Sequence, residues 1–549
     1  MTATVARRGA TATGARAAAE TLVGLPSMIR LVVRRNRVRL VVWWLVIAGL
    51  VAYVGAYYKT LFPTQASLDE FAAISNTPAI KALTGLAAAP DTLGGAVWTK
   101  AWMSAALSLA FGVAFLITRS GRADEEAGRT ELLRSRVLGL HSYSAAAWIV
   151  NAGLCVAAGA GVALASASGG LDPAGAGIAG SLVFGASVTG LGLVGIGVAA
   201  VAGQVASTSR AANGLASSVL GGFYVLRMIG DLGDGKLTWA SPIGWGQEMQ
   251  PFGGNRWWPL GLSVAFAALL VAVAAWLEAR RDLGAGLVAE RPGPAAAPAR
   301  YGTPLGLGLR LQRGPIAGWT IAMVLTSLLF GSVIEAMTKV FNDPNSPFTK
   351  VAGGSGIDAL LSLLVVMMAL ITTVFALQST VSLRTDEATG IIEPQLAGAI
   401  SRRRWALGRL LIPAVGSVAL LAIGGAGIGL GYGAYIHDPS QTGKLALAAL
   451  AYWPATMVFV GVAVALFGYL PRLAVALTWS LLAAMWFIVV LGDALNLPSW
   501  VLGALPFSAT PSQPLDAFSW TPLVVLGLVA VGLVAAGLDR FARRDIQVG

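Results

Sequence analysis

The sequence predicts an all-α polytopic membrane protein of about twelve transmembrane helices, arranged as two parallel six-helix repeats. Three observations predict it. Apolar residues make up 56% of the chain, charged residues 12%, and mean hydropathy is +0.72, outside the range of soluble domains. Uncharged runs of bilayer-crossing length, roughly 20 residues each, recur along the chain. Landmarks of the first half return in the second, 262 or 263 positions later. Nothing alternates with period two, and isolated strands cannot satisfy their backbone in lipid, so each span is read as a helix.

In chain order, residues 1–24 (MTATVARRGATATGARAAAETLVG) read as a disordered Ala/Thr/Arg-rich tail. They do not have the form of a secretory signal, because the apolar run beyond them is of full span length and no small-residue cleavage pattern follows. PSMIRLVVRRNRVRL then puts Arg30, Arg34 and Arg37 on one helical face. That spacing predicts a helix lying in the inner interface before the chain turns into the membrane; a plain stop-anchor charge cluster is the alternative. Spans are predicted at 40–58, 98–118, 144–166, 177–204, 212–230 and 258–277, within a first half of 25–283. A Pro/Ala-rich cytosolic linker covers 284–303. The second half, 304–549, holds spans at 317–338, 357–381, 405–432, 445–470, 473–492 and 521–539.

Orientation follows from the basic residues. With the N-terminus cytoplasmic, 29 of the 38 Lys and Arg residues fall inside and 8 outside, with Arg227 within a span. All seven lysines then lie outside, and both termini are cytoplasmic. The net charge of +12 belongs to a surface facing anionic lipid, so membrane lipid is the implied partner and nucleic acid is not. The lone Cys155 forms no disulfide, and His141 and His437 lie on opposite sides of the membrane, so no metal site assembles from them.

The repeat organises the rest. RADEEAGRTE at 122–131 is answered by RTDEATGIIE at 384–393, with Arg, Asp, Glu, Gly and Glu in the same five positions. Gly230-Asp231 recurs as Gly492-Asp493, Trp258-Pro259 as Trp520-Thr521-Pro522, and Ala279-Arg280-Arg281-Asp282 as Ala542-Arg543-Arg544-Asp545. Each half has an even number of spans, so the halves are parallel and related by an axis along the membrane normal. A chain of this kind is a fused dimer with a path at its seam and two equivalent cytoplasmic faces. The acidic decamers lie on those faces. Asp124 and Glu125 stand six or seven residues before Glu131, about two helical turns, which lets them share one helical face. Gly128 and Gly390 supply either a bend or a place of close approach. A solvated loop is the bland reading, and two copies in one register favour a docking surface over it.

These residues, the basic N-terminal helix and the twelve spans resemble, over essentially the whole chain, ABC-2-type permeases of the actinobacterial polyketide-antibiotic (tetronasin-type) exporter family, which includes mycobacterial multidrug-efflux members. The resemblance implies a short coupling helix in each loop, docked on a separate ATPase subunit. Asp124, Glu125, Gly128 and Glu131 would serve one copy of that ATPase, and Asp386, Glu387, Gly390 and Glu393 the other. The second loop departs after its glycine, with Ile391-Ile392 for Arg129-Thr130 and Pro394 for Leu132. No G-x-x-x-x-G-K-[ST] occurs, so the chain has no ATPase site of its own; ATP and Mg would sit on the partner, and this chain binds no cofactor. It also shows no nucleophile–base or metal constellation. The implied setting is the bacterial inner membrane, and the implied cargo is an amphiphilic drug or polyketide-like antibiotic.

The resemblance places the cargo path between the first, second and fifth spans of each half. Candidates there are Trp43, Trp44, Trp102, Met103, Phe111, Phe115, Phe223 and Tyr224, with Trp319, Met367, Met368, Phe375, Trp486 and Phe487 in the second half. Aromatic and Met side chains make adaptable contacts with bulky cargo, though ordinary packing and interface anchoring explain many of them. Arg227 and Asp231 are read as an i, i+4 ion pair near the outer end of span five. The loops before spans six and twelve are read as short re-entrant helices. Gly425, Gly429 and Gly433 are read as a helix-packing stripe. An ion-coupled secondary transporter is the alternative function, although acids at mid-membrane depth are scarce.

Overall fold

Backbone that cannot bond to lipid must bond to itself. The computed structural model describes residues 20–75, 81, 84–135, 137–282, 284–288, 296–341, 356–491 and 505–547, and among them no strand occurs. The chain divides into two compact units, Met1–Pro292 and Gly293–Gly549. The division falls inside the predicted linker. Most of the N-terminal tail, residues 289–295 of the linker and Gly492-Asp493 lie outside the described residues.

The first unit comprises α1 (Leu25–Leu61), α2 (Gln65–Ser75), α3 (Leu93–Arg119), α4 (Arg122–Glu126), α5 (Arg129–Arg134), α6 (Ser142–Ser168), α7 (Ala179–Val205), α8 (Ser209–Leu232), α9 (Pro242–Gln247) and α10 (Trp258–Glu278). The expected turn from an interfacial helix into the first span is absent. α1 is one unbroken helix of 37 residues, about 55 Å long at 1.5 Å per residue, well beyond a bilayer core. Nothing in VRLVVWW breaks a helix, so the amphipathic and apolar stretches fuse. Arg30, Arg34 and Arg37 are exposed, as predicted, while Arg35 turns inward.

α7 is the most enclosed helix of this unit, and small residues let it be so. A Cβ on Gly185 would lie 2.2 Å from the Gly159 carbonyl of α6, and one on Gly195 2.6 Å from the Ala110 carbonyl of α3. With no hydrophobic drive between helices in lipid, such backbone approach supplies the packing. α3 lies between α1 and α8.

The second unit comprises α11 (Pro304–Phe341), α12 (Ile357–Ala388), α13 (Ile392–Leu396), α14 (Arg402–Ile436), α15 (Ser440–Leu450), α16 (Trp453–Tyr469), α17 (Ala474–Leu491) and α18 (Trp520–Arg543). The predicted span 445–470 is interrupted at Ala451-Tyr452, where Pro454 starts a new helix. The glycine stripe of α14 seats α15: Cβ atoms on Gly425, Gly429 and Gly433 would meet the carbonyls of Leu445, Gln441 and Asp438 at 2.3, 2.6 and 2.7 Å. Among the described residues eleven helical segments, with α3 and α4 and also α15 and α16 taken as one, are long and apolar enough to cross a membrane. The remaining predicted span, the eleventh at 473–492, lies on α17, whose described apolar stretch, Ala474–Trp486, is shorter.

The two outer loops differ. The first holds α9, a buried helix of six residues, whereas described residues 505–519 of the second form turns and no helix. Arg227 and Asp231 do pair: Nη1 donates to Oδ2 at 3.0 Å with both side chains fully buried. Asp231 also accepts from Thr238 Oγ1 at 2.7 Å and Gln247 Nε2 at 3.1 Å, tying α8 to the loop that carries α9.

Candidate functional site

The acidic loops occupy the arginine-rich end of each unit. In the first, α3 stops at Arg119, Gly121 redirects the chain, and α4 carries Asp124, Glu125 and Glu126. Gly128 has φ +67° and caps α5 in the left-handed region. A Cβ there would meet nothing within 4 Å, so backbone conformation and not crowding demands glycine. Gly390 repeats this at φ +74°. In both loops the glycine N–H closes on the carbonyl of the second acid, Gly128 to Glu125 at 3.0 Å and Gly390 to Glu387 at 3.1 Å.

This turn separates the acids that spacing alone puts on one face. Asp124 is fully buried. It accepts from Arg35 Nη2 of α1 at 2.7 Å, from Arg129 Nη1 at 2.6 Å and from Tyr143 Oη of α6 at 2.5 Å. Glu125 accepts from Arg122 Nη1 at 2.9 Å and is held bidentately by Arg281, just past α10, at 2.5 and 2.9 Å. Arg122 itself donates to the Gly203 carbonyl of α7 at 2.8 Å. Glu126 accepts from the backbone N–H and hydroxyl of Ser209, the first residue of α8, at 2.5 and 2.7 Å. His141 and Ser144 add a tie from α6 to Glu278 of α10 at 2.8 and 2.6 Å. The loop following α3 is thus fastened to the ends of α1, α6, α7, α8 and α10.

The second unit builds a related arrangement with fewer ties, since Ile391, Trp405 and Ala388 stand where the first unit has Arg129, Tyr143 and Glu126. Arg544 holds Glu387 bidentately at 2.5 and 2.9 Å, as Arg281 holds Glu125. Arg384 donates to Glu387 at 3.2 Å and to the Gln547 carbonyl at 2.7 Å. Asp386 pairs with Arg409 of α14, where Asp124 uses α1. Leu383 stands where the first unit has Gly121, so α12 runs unbroken through its acids.

Asp124, Glu125, Asp386 and Glu387 therefore face inward and are occupied by this chain's own guanidinium groups. The resemblance assigns all four to docking; here each is engaged within its own unit. Exposed residues of the loops include Glu131, Leu132 and Val137, beside Glu126 and Arg129, in the first unit, and Ile391, Glu393 and Pro394 in the second. Leu132 is 75% exposed, while its neighbour Leu133 packs on the α1–α6 core. Arg281 and Arg544 are partners the motif search passed over, although both stand in the repeated Ala-Arg-Arg-Asp landmark. Arg35 and Arg409 carry no such signal, since the two units recruit them from different helices.

The cargo-path candidates fall into three groups. Trp102, Met103, Met368 and Phe375 are buried within their units: Trp102 Nε1 donates to Ser187 Oγ at 2.9 Å, while Met368 and Phe375 fill the space over Gly424 and Gly416. Their side chains are taken up by packing within their units. Trp43 lies over Gly112, Phe223 against Phe266, Tyr224 beneath Arg227, and Trp319 donates to Gln378 Oε1 at 2.6 Å. These four, with Phe111, Met367 and Trp486, are partly buried, whereas Trp44 and Phe115 are exposed. The side chain of Phe487 lies outside the described residues. Among the described residues no cluster of potential metal ligands occurs.

The model of the C-terminal domain of the multidrug efflux system permease Rv1217c matches residues 302–542. The multidrug efflux system permease protein Rv1217c of Mycobacterium tuberculosis is 35% identical over 538 residues, 95% of either chain. This chain belongs to that family of multidrug efflux permeases. Membership of a permease family accords with the many helices long and apolar enough to cross a membrane.

Proposed function

We propose that this chain is the transmembrane permease subunit of an ABC-2-type, tetronasin-type exporter, extruding amphiphilic drugs or polyketide-like antibiotics by alternating access. Two copies of a separate ATPase subunit supply ATP hydrolysis, one on each acidic loop, and both termini face the cytoplasm. The observation that carries the reading is the wiring of those loops. In the first unit one short segment is bonded to the ends of five helices, so force applied to it is distributed through the bundle. A loop that were merely solvated would leave its carboxylates in water.

The docking surface in this reading is the outward remainder: Glu131 and Leu132 on one loop, Ile391 and Glu393 on the other. The inward carboxylates transmit the movement and do not contact the ATPase. The tandem repeat supports two docking sites, and the substitutions after Gly390 make them unequal in strength.

Co-purification tests it. The wild-type chain is expected to recover an ATPase subunit, and Glu131→Lys with Glu393→Lys to reduce that recovery at least tenfold. Full recovery with the double variant would sink the proposed docking surface, and no ATPase with wild type would sink the ATP-driven reading. Efflux that survives vanadate but collapses with an uncoupler would assign the chain to ion-coupled secondary transport instead.

A further inference from the structure

The second unit carries an apolar groove that nothing above uses. It runs between α14, α16 and α18, with a cavity of about 920 Å³, at the upper end for small-molecule sites. Leu407, Trp453, Met457, Leu528 and Val531 are among its walls. The groove extends along α18 from Val524 to Asp539, about 22 Å at 1.5 Å per residue, more than one leaflet of a hydrocarbon core about 30 Å thick. Its origin is local. α16 and α18 touch backbone to backbone, since a Cβ on Gly468 would lie 2.4 Å from the Gly537 carbonyl, and this close seam leaves the α14 side of α18 open.

Charge appears only at the arginine-rich end. Arg403 Nη2 and Arg543 Nη2 both donate to one oxygen, Asp539 Oδ1, at 2.5 and 3.1 Å. Two guanidinium groups sharing one carboxylate leave a net positive charge, and both are well exposed, at 58% and 71% of their side chains. Most of their ten N–H donors point elsewhere than Asp539. An apolar channel longer than one leaflet is deep, with Arg403 at one end and Arg543 beside it on Asp539, fits an anionic lipid. The first unit offers the contrast. Its groove between α6, α7 and α10 is about 310 Å³, and no charged residue lines it.

We infer that the groove of the second unit binds one anionic phospholipid, with an acyl chain along α18 and the phosphate at Arg403 and Arg543. Among the described residues, the first unit's grooves of about 310 and 440 Å³ are smaller and have no charged lining residue, so one site per chain is expected. The inference stands apart from the ATPase reading, since it needs neither a partner subunit nor transport.

The test uses the full chain in phosphatidylcholine nanodiscs containing a minor fraction of phosphatidylglycerol, with retained lipid counted by native mass spectrometry. One phosphatidylglycerol per chain is expected, preferred over phosphatidylcholine at least tenfold. Arg403→Gln and Arg543→Gln should each weaken retention about fivefold. Asp539→Asn should strengthen it by releasing both cations. Gly527 faces open space in the groove wall, so Gly527→Trp should fill the site and abolish retention while Gly527→Ala preserves it. Val531→Trp, at another exposed wall position, is the second blocking variant if the first fails to fold. Equal retention of the two lipids would show annular lipid only and overturn the site. Retention that survives both blocking variants, or that falls with Asp539→Asn as it does with the arginine variants, would overturn it too.

Discussion

Glu125 shows how burial converts a surface motif into a structural joint. A carboxylate taken out of water needs its charge answered, and Arg281 answers it with two parallel N–H bonds, the strongest geometry available to the pair. Both side chains are more than nine-tenths buried. Removing one partner strands the other, so Arg281→Gln should lower stability by about 3–5 kcal/mol, read as the thermal melting of the purified chain. The double variant Glu125→Gln/Arg281→Gln should recover part of that loss, and a strictly additive double variant would show that the two residues are not coupled. Gly128 makes a second prediction at this scale. An L-residue in its left-handed conformation costs roughly 1–2 kcal/mol, so Gly128→Val should loosen the loop, seen as faster proteolysis between α4 and α5.

Between elements, the decisive quantity is how closely two backbones approach. α16 and α18 meet where Gly468 and Gly537 leave no room for a side chain. Gly468→Leu should force them apart and lower the melting temperature sharply. Gly527→Leu, on the same helix as Gly537 but facing open space, should leave it within error. Equal effects would mean that glycine acts there through helix propensity and not through packing. The same logic separates the acidic loops. α12 runs through its acids because Leu383 continues a helix, while Gly121 ends α3 and lets α4 form a separate piece. The first loop is therefore jointed and the second is stiff.

For the molecule as a whole, the proposed function has the loops divide binding from transmission. If the outward residues hold an ATPase and the inward acids carry the movement, the two functions separate by mutation. Arg281→Gln with Arg544→Gln should retain ATPase co-purification yet lose drug efflux from cells, with ATP hydrolysis no longer stimulated by cargo. Glu131→Lys with Glu393→Lys should lose both together. Loss of ATPase recovery in the arginine variants, with their fold intact by circular dichroism, would count against this division.

The amino-acid sequence by itself determined that this is a helical, membrane-spanning chain, because lipid leaves a polypeptide few other ways to satisfy its backbone. It also marked the two acidic loops, since the same five residues at the same spacing stand out against diverged surroundings. The exposed arginines of α1, the buried Arg227–Asp231 pair and the glycine stripe under α15 were legible from helical periodicity alone. Tertiary structure decided which way each charge points. Spacing placed Asp124, Glu125 and Glu131 on one face, but the left-handed turn at Gly128 sends two inward and one outward. Their arginine partners come from helices far away in the chain, and no local pattern reports a contact across 89 or 156 residues. Nor could composition say which aromatic side chains are packed away: Trp102 and Trp44 read alike in sequence, and only the neighbours folded around them differ.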